Sequence, residues 1–594
     1  MESIFFLGLN LAAWITLITV LAMFLSLIFT RLPEDVAFLS VIGILLLTGV
    51  IDTKEALGGF SSPSVVVIGV LYIVVAGLTR TGVLQWVVRY LLGTPGSYNS
   101  AIVRMMVPVA LLSSVLSNTT VVALFVGVIK VWSKKLGTVP SKLLIPLSYA
   151  SGLGGICTLI GTPPNLIISG MYAADTGEHL NIFATTIPGL FCLTVGILSI
   201  LALKRLLPER KSDDESFSDT TDYTAELLVP ADCPYIGETI EEAEIGSVPG
   251  GQLIEIVRFD REVVSPVLPD EYIMGGDRLV YAGQVDEILQ LRKSHGLVNA
   301  DHPIFSINEL DTRRRLRTAY VQPGCPFIGR NMTDGTFERD NEFTLVAVAR
   351  QGERINQSPR DITLQVGDSL LMECSPHTAS LSAIRGLQFF DSSSVIPNIG
   401  AKTLLSSLIM LGMIILSSLD IMPLLQSAIL AAFAMLVFRC CSPRQAMQAI
   451  NWNILMIFAG SVVIGTAIQK TGIATAIASG LMQVCGDRPL LLMFAMSFTG
   501  MFVTEFVSNT AAGAIFYPIV YQAALSLGCN PLPFIISIMI AVSCCFSTPI
   551  GSPTHMLVYG PGGYRFIDFM KIGIWMNIII LLSNLFIVNL VYPL

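Results

Sequence analysis

Two short polar clusters stand inside apolar runs of this 594-residue chain: Ser117-Asn118-Thr119 in SVLSNTTVVALF and Ser508-Asn509-Thr510 in TEFVSNTAAGAIF. Hydroxyls and carboxamides are costly in an apolar layer unless they find partners. A second pair follows the first: Gly161-Thr162-Pro163-Pro164-Asn165 and Gly551-Ser552-Pro553-Thr554-His555, at offsets of 391 and 390 residues. Hard neutral oxygens of this kind suit Na⁺ without any carboxylate. Ser113 precedes Ser117 by four residues and Thr504 precedes Ser508 by four, so each pair shares a face if the approach is helical.

One such cluster is compatible with a plain transmembrane helix whose small polar residues face a neighbour. Two copies in matched context favour a broken backbone, with freed carbonyls for cations and helix N-termini for an anion. Met105 to Ile129 is about one span long, so a re-entrant hairpin with its tip at Asn118 and a straight span are both open. Gly161-Thr162-Pro163-Pro164-Asn165 cannot continue a helix, because consecutive prolines remove donors and push the preceding residue out of the α region. Unwound backbone survives at membrane depth only when buried or lining a cavity.

The elements that position these clusters must be membrane helices. The chain is 53% hydrophobic and only 13% charged, against about 25% charged in soluble domains. Charge-free stretches near span length recur, for example Ser61 to Leu78 and Leu143 to Ala174. A multi-pass integral membrane protein of a bacterial inner membrane or plasma membrane is expected. The first apolar run lacks a basic n-region and reads as a first transmembrane helix. Cysteines lack CxxC spacing and read as buried apolar residues. The net charge of −8 suggests no nucleic-acid partner.

Three regions follow: membrane repeat 1 over 1–205, a hydrophilic middle, and membrane repeat 2 over 396–594. Leu78-Thr79-Arg80-Thr81-Gly82 and Ile468-Gln469-Lys470-Thr471-Gly472 match at an offset of 390. Lys204, Arg205, Arg210 and Lys211 put the exit of repeat 1, and so the middle, on the cytoplasmic side; Lys134-Lys135 and Arg439 with Arg444 read as further cytoplasmic ends. The middle is itself duplicated: Cys233-Pro234-Tyr235-Ile236-Gly237 pairs with Cys325-Pro326-Phe327-Ile328-Gly329, and Gly276-Asp277 with Gly367-Asp368. Alternating runs at Gln252 to Phe259 and Glu342 to Ala349 read as strands. Two small α/β domains are expected, over 223–306 and 307–395, behind a flexible linker at 206–222.

These motifs, with Thr548 to Phe566 (TPIG…MLVYGPGGYRF), resemble the divalent anion/Na⁺ symporter family over essentially the whole chain. The nearest branch is the bacterial and algal one with two inserted TrkA-C-type domains. The resemblance implies two repeats of inverted topology with re-entrant hairpins and broken helices, an elevator mechanism and a homodimer in the lipid membrane. It implies one Na⁺ at Ser113, Ser117, Asn118 and the backbone of Gly161, and another at Thr504, Asn509 and the backbones of Val507 and Gly551. The anion would meet Asn118, Thr119 and Thr162 from one repeat, and Ser508, Asn509, Thr510, Ser552 and Pro553 from the other. His555 departs from the family, where many members have Asn; it is either a loop ligand or a helix-end histidine. Glu505, the one acid beside a motif, reads as an interfacial residue at a hairpin mouth, with a proton-sensing or cation-attracting role as the alternative.

Neutral donors can hold a dianion if bound Na⁺ supplies compensating charge, which couples the two by linkage. Sulfate is the favoured substrate and a C4-dicarboxylate the rival. A cation channel or potassium-uptake subunit regulated by TrkA-C domains is the alternative from another class, but no filter loop like TVGYG is present. Nor is there a Ser/His/Asp constellation, so no enzyme is expected. The middle domains lack GxGxxG and would bind a small regulatory ligand or nucleotide, or serve as a scaffold.

Overall fold

The computed structural model describes residues 10–30, 33–83, 96–210 and 400–594 apart from 420 and 487. Within 224–389 it describes all but 300–314, 331–342, 375–385 and shorter breaks. Most of the expected linker therefore lies outside the described residues.

The first membrane half runs α1 (Leu11–Phe29), α2 (Glu34–Leu47), α3 (Thr53–Gly58), α4 (Pro63–Arg80), α5 (Tyr98–Ser113), α6 (Asn118–Lys135), α7 (Ser141–Gly155), α8 (Pro163–Thr176) and α9 (Thr186–Leu203). The second runs α10 (Ala401–Ser418), α11 (Leu424–Val437), α12 (Pro443–Ala449), α13 (Trp452–Lys470), α14 (Ile473–Cys485), α15 (Pro489–Val503), α16 (Asn509–Ser526), α17 (Pro531–Ser543), α18 (Pro553–Tyr559) and α19 (Phe566–Val591). A shift of 390 residues carries α2 onto α11 at both ends. The caps repeat as well: Asp52 and Glu55 form a capping box on α3, and Ser442 and Gln445 form one on α12. Among the described residues, four apolar helices reach spanning length, at Thr186–Leu206, Ala401–Ser418, Trp452–Lys470 and Phe566–Val591.

Contacts at the two ends of α4 fix the relative direction of the repeats. Just before its start, Glu55 on α3 binds Lys470 Nζ, the last residue of α13, at 2.7 Å. Just past its end, the Thr81 carbonyl accepts from Thr403 Oγ1 at 2.6 Å, in the first turn of α10. The 18 residues of α4 separate these points by about 27 Å. So α4 and its counterpart α13 end at opposite faces, and the repeats are inverted.

Each repeat completes the other. α4 packs on α11 and α13 on α2, while α8 packs on α16 and α18 on α6. α9 and α19 lie together, with the Phe191 and Phe586 rings 6.0 Å apart. Some crossings are closer than any side chain allows. A Cβ on Gly154 of α7 would stand 2.3 Å from the Ala110 carbonyl oxygen of α5.

The middle region holds two sheets of matching topology. One joins β1 (Thr224–Leu228), β2 (Ser247–Val248), β3 (Gly251–Arg258), β4 (Glu262–Val264), β5 (Arg278–Gly283) and β6 (Val298–Asn299) in the order β2-β3-β5-β1-β6, with β4 on β3. The other joins β7 (Arg315–Val321), β8 (Phe343–Arg350), β9 (Glu353–Arg354), β10 (Ser369–Cys374) and β11 (Leu387–Phe389) as β11-β7-β10-β8-β9. The Gly-Asp turns do the same work in both: Asp277 accepts from Arg258 and Asp368 from Arg350, both carboxylates buried. Ile254, Val257 and Val280 of one sheet pack against Val346, Ala347, Ala349 and Leu371 of the other. The helical part of the expected α/β domains falls largely outside the described residues.

The second module docks on the membrane part. Lys130 of α6 hydrogen-bonds the Tyr320 hydroxyl, and a Cβ on Gly560 would lie 2.8 Å from the Gly367 carbonyl oxygen. Arg565 reaches Glu353 at 3.7 Å.

Gly154→Val should separate α5 from α7, since overpacking a tight crossing costs about 1–3 kcal/mol and here the obstacle is backbone. A thermal unfolding scan in detergent is expected to show a midpoint several degrees below wild type. The change at open Gly43, where a Cβ meets nothing within 4 Å, should leave it in place.

Candidate functional site

The Ser-Asn-Thr clusters are helix–turn–helix tips. α5 ends at Ser113, four residues turn, and α6 starts at Asn118 with Ser117 as N-cap. α15 likewise stops at Val503, and α16 starts at Asn509 behind Ser508, whose Oγ accepts from Ala511 N at 3.4 Å. The straight-span alternative is thereby excluded. The proline motifs are also breaks. Backbone 156–162 is unwound between α7 and α8, and 544–552 between α17 and α18. The prolines open the next helix, Pro163 and Pro164 at the start of α8 and Pro553 at the start of α18.

One hydroxyl in each repeat ties tip to loop. Thr158 Oγ1 donates to the Ser114 carbonyl at the first tip and accepts from Gly161 N at 3.1 Å. Thr548, its counterpart 390 residues on, donates to the Glu505 carbonyl at 2.7 Å and accepts from Gly551 N at 3.1 Å. Neither threonine is among the site residues expected from the sequence. Threonine in a membrane helix ordinarily satisfies its own preceding turn, as Thr194 does with the Leu190 carbonyl. Their shared offset was the available signal.

In the first half, Ser113 Oγ donates to Ser151 Oγ at 3.0 Å, and Ser151 Oγ donates to the Asn118 carbonyl at 3.3 Å. Asn118 Oδ1 is buried with no hydrogen-bond partner among the described residues. The space beside it exists because residue 155 is glycine: a Cβ there would lie 3.1 Å from Asn118 Oδ1 and 2.5 Å from Thr162 Cγ2. Gly161 is equally close-set, since a Cβ on it would fall 2.4 Å from the Gly155 carbonyl oxygen.

The second half differs where the first is open. Cys545 stands at the position of Gly155, and its thiol lies 3.4 Å from Asn509 Oδ1 and 3.2 Å from the Gly551 carbonyl oxygen. Asn509 Oδ1 also accepts from Thr504 Oγ1 at 2.7 Å, and Thr504 lies 2.9 Å from the Val542 carbonyl. Cys545 is buried, as expected for the cysteine pair, and its thiol also meets two polar oxygens. Val507 is buried within this tip. The halves meet where Thr162 Oγ1 approaches Ser543 Oγ at 3.4 Å.

Glu505 corrects the sequence reading. It is buried rather than interfacial. Its two oxygens accept from Ser547 N at 2.9 Å and Thr548 N at 2.8 Å, and Asn577 Nδ2 adds a third bond at 2.6 Å. The carboxylate thus holds the second loop on its tip. His555 is settled as well: Nε2 meets the Cys545 carbonyl at 2.6 Å and Nδ1 meets Ser148 Oγ at 2.6 Å. Both nitrogens are engaged by protein, so the ring is a strut. Asn165, its counterpart, does the same job through Nδ2 on the Thr158 carbonyl at 3.0 Å.

Of the expected anion contacts, Thr119 and Thr510 occupy the second positions of α6 and α16 and make no hydrogen bond among the described residues. Ser552 Oγ lies 2.9 Å from Thr554 Oγ1, and Pro553 opens α18 beside it. The site thus offers neutral oxygens and four helix N-termini, and no lysine or arginine touches it among the described residues.

The citrate transporter family matches this chain over residues 24–512 and 477–594. An uncharacterised transporter of Synechocystis is 32% identical over 94% of both chains. Sodium/sulfate cotransporter 2 of Chlamydomonas reinhardtii is 24% identical, covering 89% of this chain and 84% of its own. A sodium-dependent dicarboxylate transporter of Staphylococcus saprophyticus is 27% identical over 25% of this chain and 28% of its own. The two-repeat architecture and the extent of the match place this chain in the citrate transporter family of membrane transporters.

Proposed function

We propose that the chain is a Na⁺-coupled symporter of a small divalent anion, with sulfate as substrate. The observation that carries the reading is the buried, unpartnered Asn118 Oδ1 at the tip of the first hairpin. A carbonyl-type oxygen left without a donor in an apolar layer costs about 1–3 kcal/mol, and a cation removes that cost. Ser113, Ser117 and the Gly161 backbone complete one Na⁺ site in this reading. Thr504, Asn509 and the backbones of Val507 and Gly551 complete the other, where Thr504 and Cys545 turn their protons away when the cation binds.

The anion then sits between the tips, on Asn118, Thr119 and Thr162 from one side and Ser508, Asn509, Thr510, Ser552 and Pro553 from the other. Helix N-termini contribute partial positive charge. With no basic side chain in contact, two bound Na⁺ supply most of the neutralisation, so cation and anion affinities rise together. Glu505 takes no part in anion contact, since both of its carboxyl oxygens are occupied by the second loop and Asn577. The inverted repeats fit an elevator motion of the hairpin-bearing elements against α1–α4 and α10–α13, in a homodimer. The middle modules, read as TrkA-C-type domains, would bind a small ligand or nucleotide that regulates transport. A C4-dicarboxylate is the second reading, favoured by the dicarboxylate relative.

Radiolabelled sulfate and succinate uptake into proteoliposomes, with and without an inward Na⁺ gradient, tests this directly. Sulfate uptake is expected to need Na⁺; uptake indifferent to Na⁺ refutes symport, and accumulation of succinate alone selects the second reading. Asn118→Ala and Asn509→Ala should each abolish uptake while keeping a wild-type gel-filtration profile.

Thr158→Val and Thr548→Val should each loosen one tip from its loop. Losing a bridging hydroxyl is expected to raise the Na⁺ concentration for half-maximal uptake about ten-fold. A Na⁺ titration that superimposes on wild type would show that the bridges do not shape the cation sites.

A further inference from the structure

The matched segments Thr79-Arg80-Thr81 and Gln469-Lys470-Thr471 have no part in the transport site, and inverted symmetry puts them on opposite membrane faces. The two surroundings differ in charge. Around Lys470 the partner is Glu55, an ordinary exposed ion pair at 2.7 Å. A shift of 390 residues turns Lys470 into Arg80 and Glu55 into Gln445. The carboxylate has become a neutral amide that keeps its helix-capping task, with Gln445 Oε1 accepting from Ser442 N at 3.0 Å as Glu55 Oε2 accepts from Asp52 N at 2.8 Å. Its NH₂ group remains as a donor.

Two further substitutions add charge at the same place. Position 49, which follows α2, is glycine with φ +71°; its counterpart after α11 is Arg439 at φ 54°. This left-handed conformation favours glycine, and Arg439 adopts it while its side chain lines the cavity described next. Lys402, in the first turn of α10, stands where repeat 1 has Ala12. Arg80, Lys402, Arg439 and Gln445 line one cavity of about 570 Å³, together with Thr81 and the N-terminal residues Gly400, Ala401 and Thr403 of the α10 start. None of the three cations pairs with a carboxylate among the described residues. Lys402 Nζ reaches only the Arg439 carbonyl, at 3.3 Å.

We infer that this cavity, on the membrane face that carries the sheet modules, binds a phosphate group. Three cations, an amide donor and the amino end of an 18-residue helix fit a phosphate's charge and acceptor count. The volume admits a small carrier attached to it. Two sources share that chemistry: the headgroup of an anionic lipid and a soluble phosphorylated molecule. The inference does not depend on the transported substrate.

Variants that copy repeat 1 test it with little risk to folding: R439G restores the glycine of position 49, and Q445E restores the acid of position 55. Delipidated full-length protein would be titrated with phosphatidylglycerol by native mass spectrometry, and with pyrophosphate by thermal shift. Wild type is expected to bind at least one probe, and R439G and Q445E to bind it about ten-fold more weakly. K470A, on the opposite face, should match wild type. Pyrophosphate binding with competition against phosphatidylglycerol identifies a soluble ligand; phosphatidylglycerol binding alone identifies the headgroup. No binding of either probe to wild type, or equal binding by R439G and Q445E, overturns the inference.

Discussion

A helix broken inside an apolar layer leaves backbone donors and acceptors that water cannot reach, and every feature of the transport site follows from how those groups are paired. The tips at 114–117 and 504–508 and the unwound loops at 156–162 and 544–552 expose such groups in the same small volume. Thr158 and Thr548 solve the problem identically, each bonding one tip carbonyl and one loop N–H. What they leave over are oxygens and helix N-termini pointed at a shared space. A scaffold that satisfied every group would be a stable membrane bundle with nothing to bind. Asn118 Oδ1 at the first tip and Asn165 Oδ1 beside the first loop are buried oxygens left without a hydrogen bond among the described residues.

The inverted repeat explains how one solution arises twice, and the departures from symmetry show what each half is for. Gly155 leaves the first amide oxygen open, while Cys545 and Thr504 occupy the second. Asn165 and His555 brace their loops with side chains of different reach. Glu505 replaces Ser114 at the second tip and pins backbone 547–548 through both carboxyl oxygens. The two tips are therefore unequal: Asn118 Oδ1 has no hydrogen bond among the described residues, while Asn509 Oδ1 is met by Thr504 Oγ1 and the Cys545 thiol.

The repeat, its offset, the paired tips and the proline breaks were legible in the sequence because they combine unusual residue types at fixed spacing in apolar context. The hidden parts share a physical reason. Thr158, Ser151 and Cys545 are residue types that usually bond their own helix, so nothing local distinguishes them. Glu505 read as interfacial because sequence shows the adjacent residues and not the 547–548 backbone that folds over it. Arg210 pairs with Asp568 through two bonds of 3.1 Å across 358 positions, a contact that spacing along the chain does not encode. Whether 105–129 was a span or a hairpin turned on four residues of turn, fewer than hydropathy can resolve.

The placement of the middle modules has mechanical meaning. The chain leaves the first repeat through α9, where Arg210 on Asp568 and Ser141 Oγ on the Pro208 carbonyl fasten it to α19 and α7. It re-enters at α10, beside α4 and α11 in the other set of helices. Tyr320, Glu353 and Gly367 of the second module then touch α6 and the α18–α19 turn, which belong to the hairpin-bearing elements. The insert is thus anchored at one end to elements that carry the site and at the other to elements that frame it. Any sliding of one set past the other must stretch this link or break the docking of the second module. Surface pairs such as Arg565–Glu353 contribute little each to that docking.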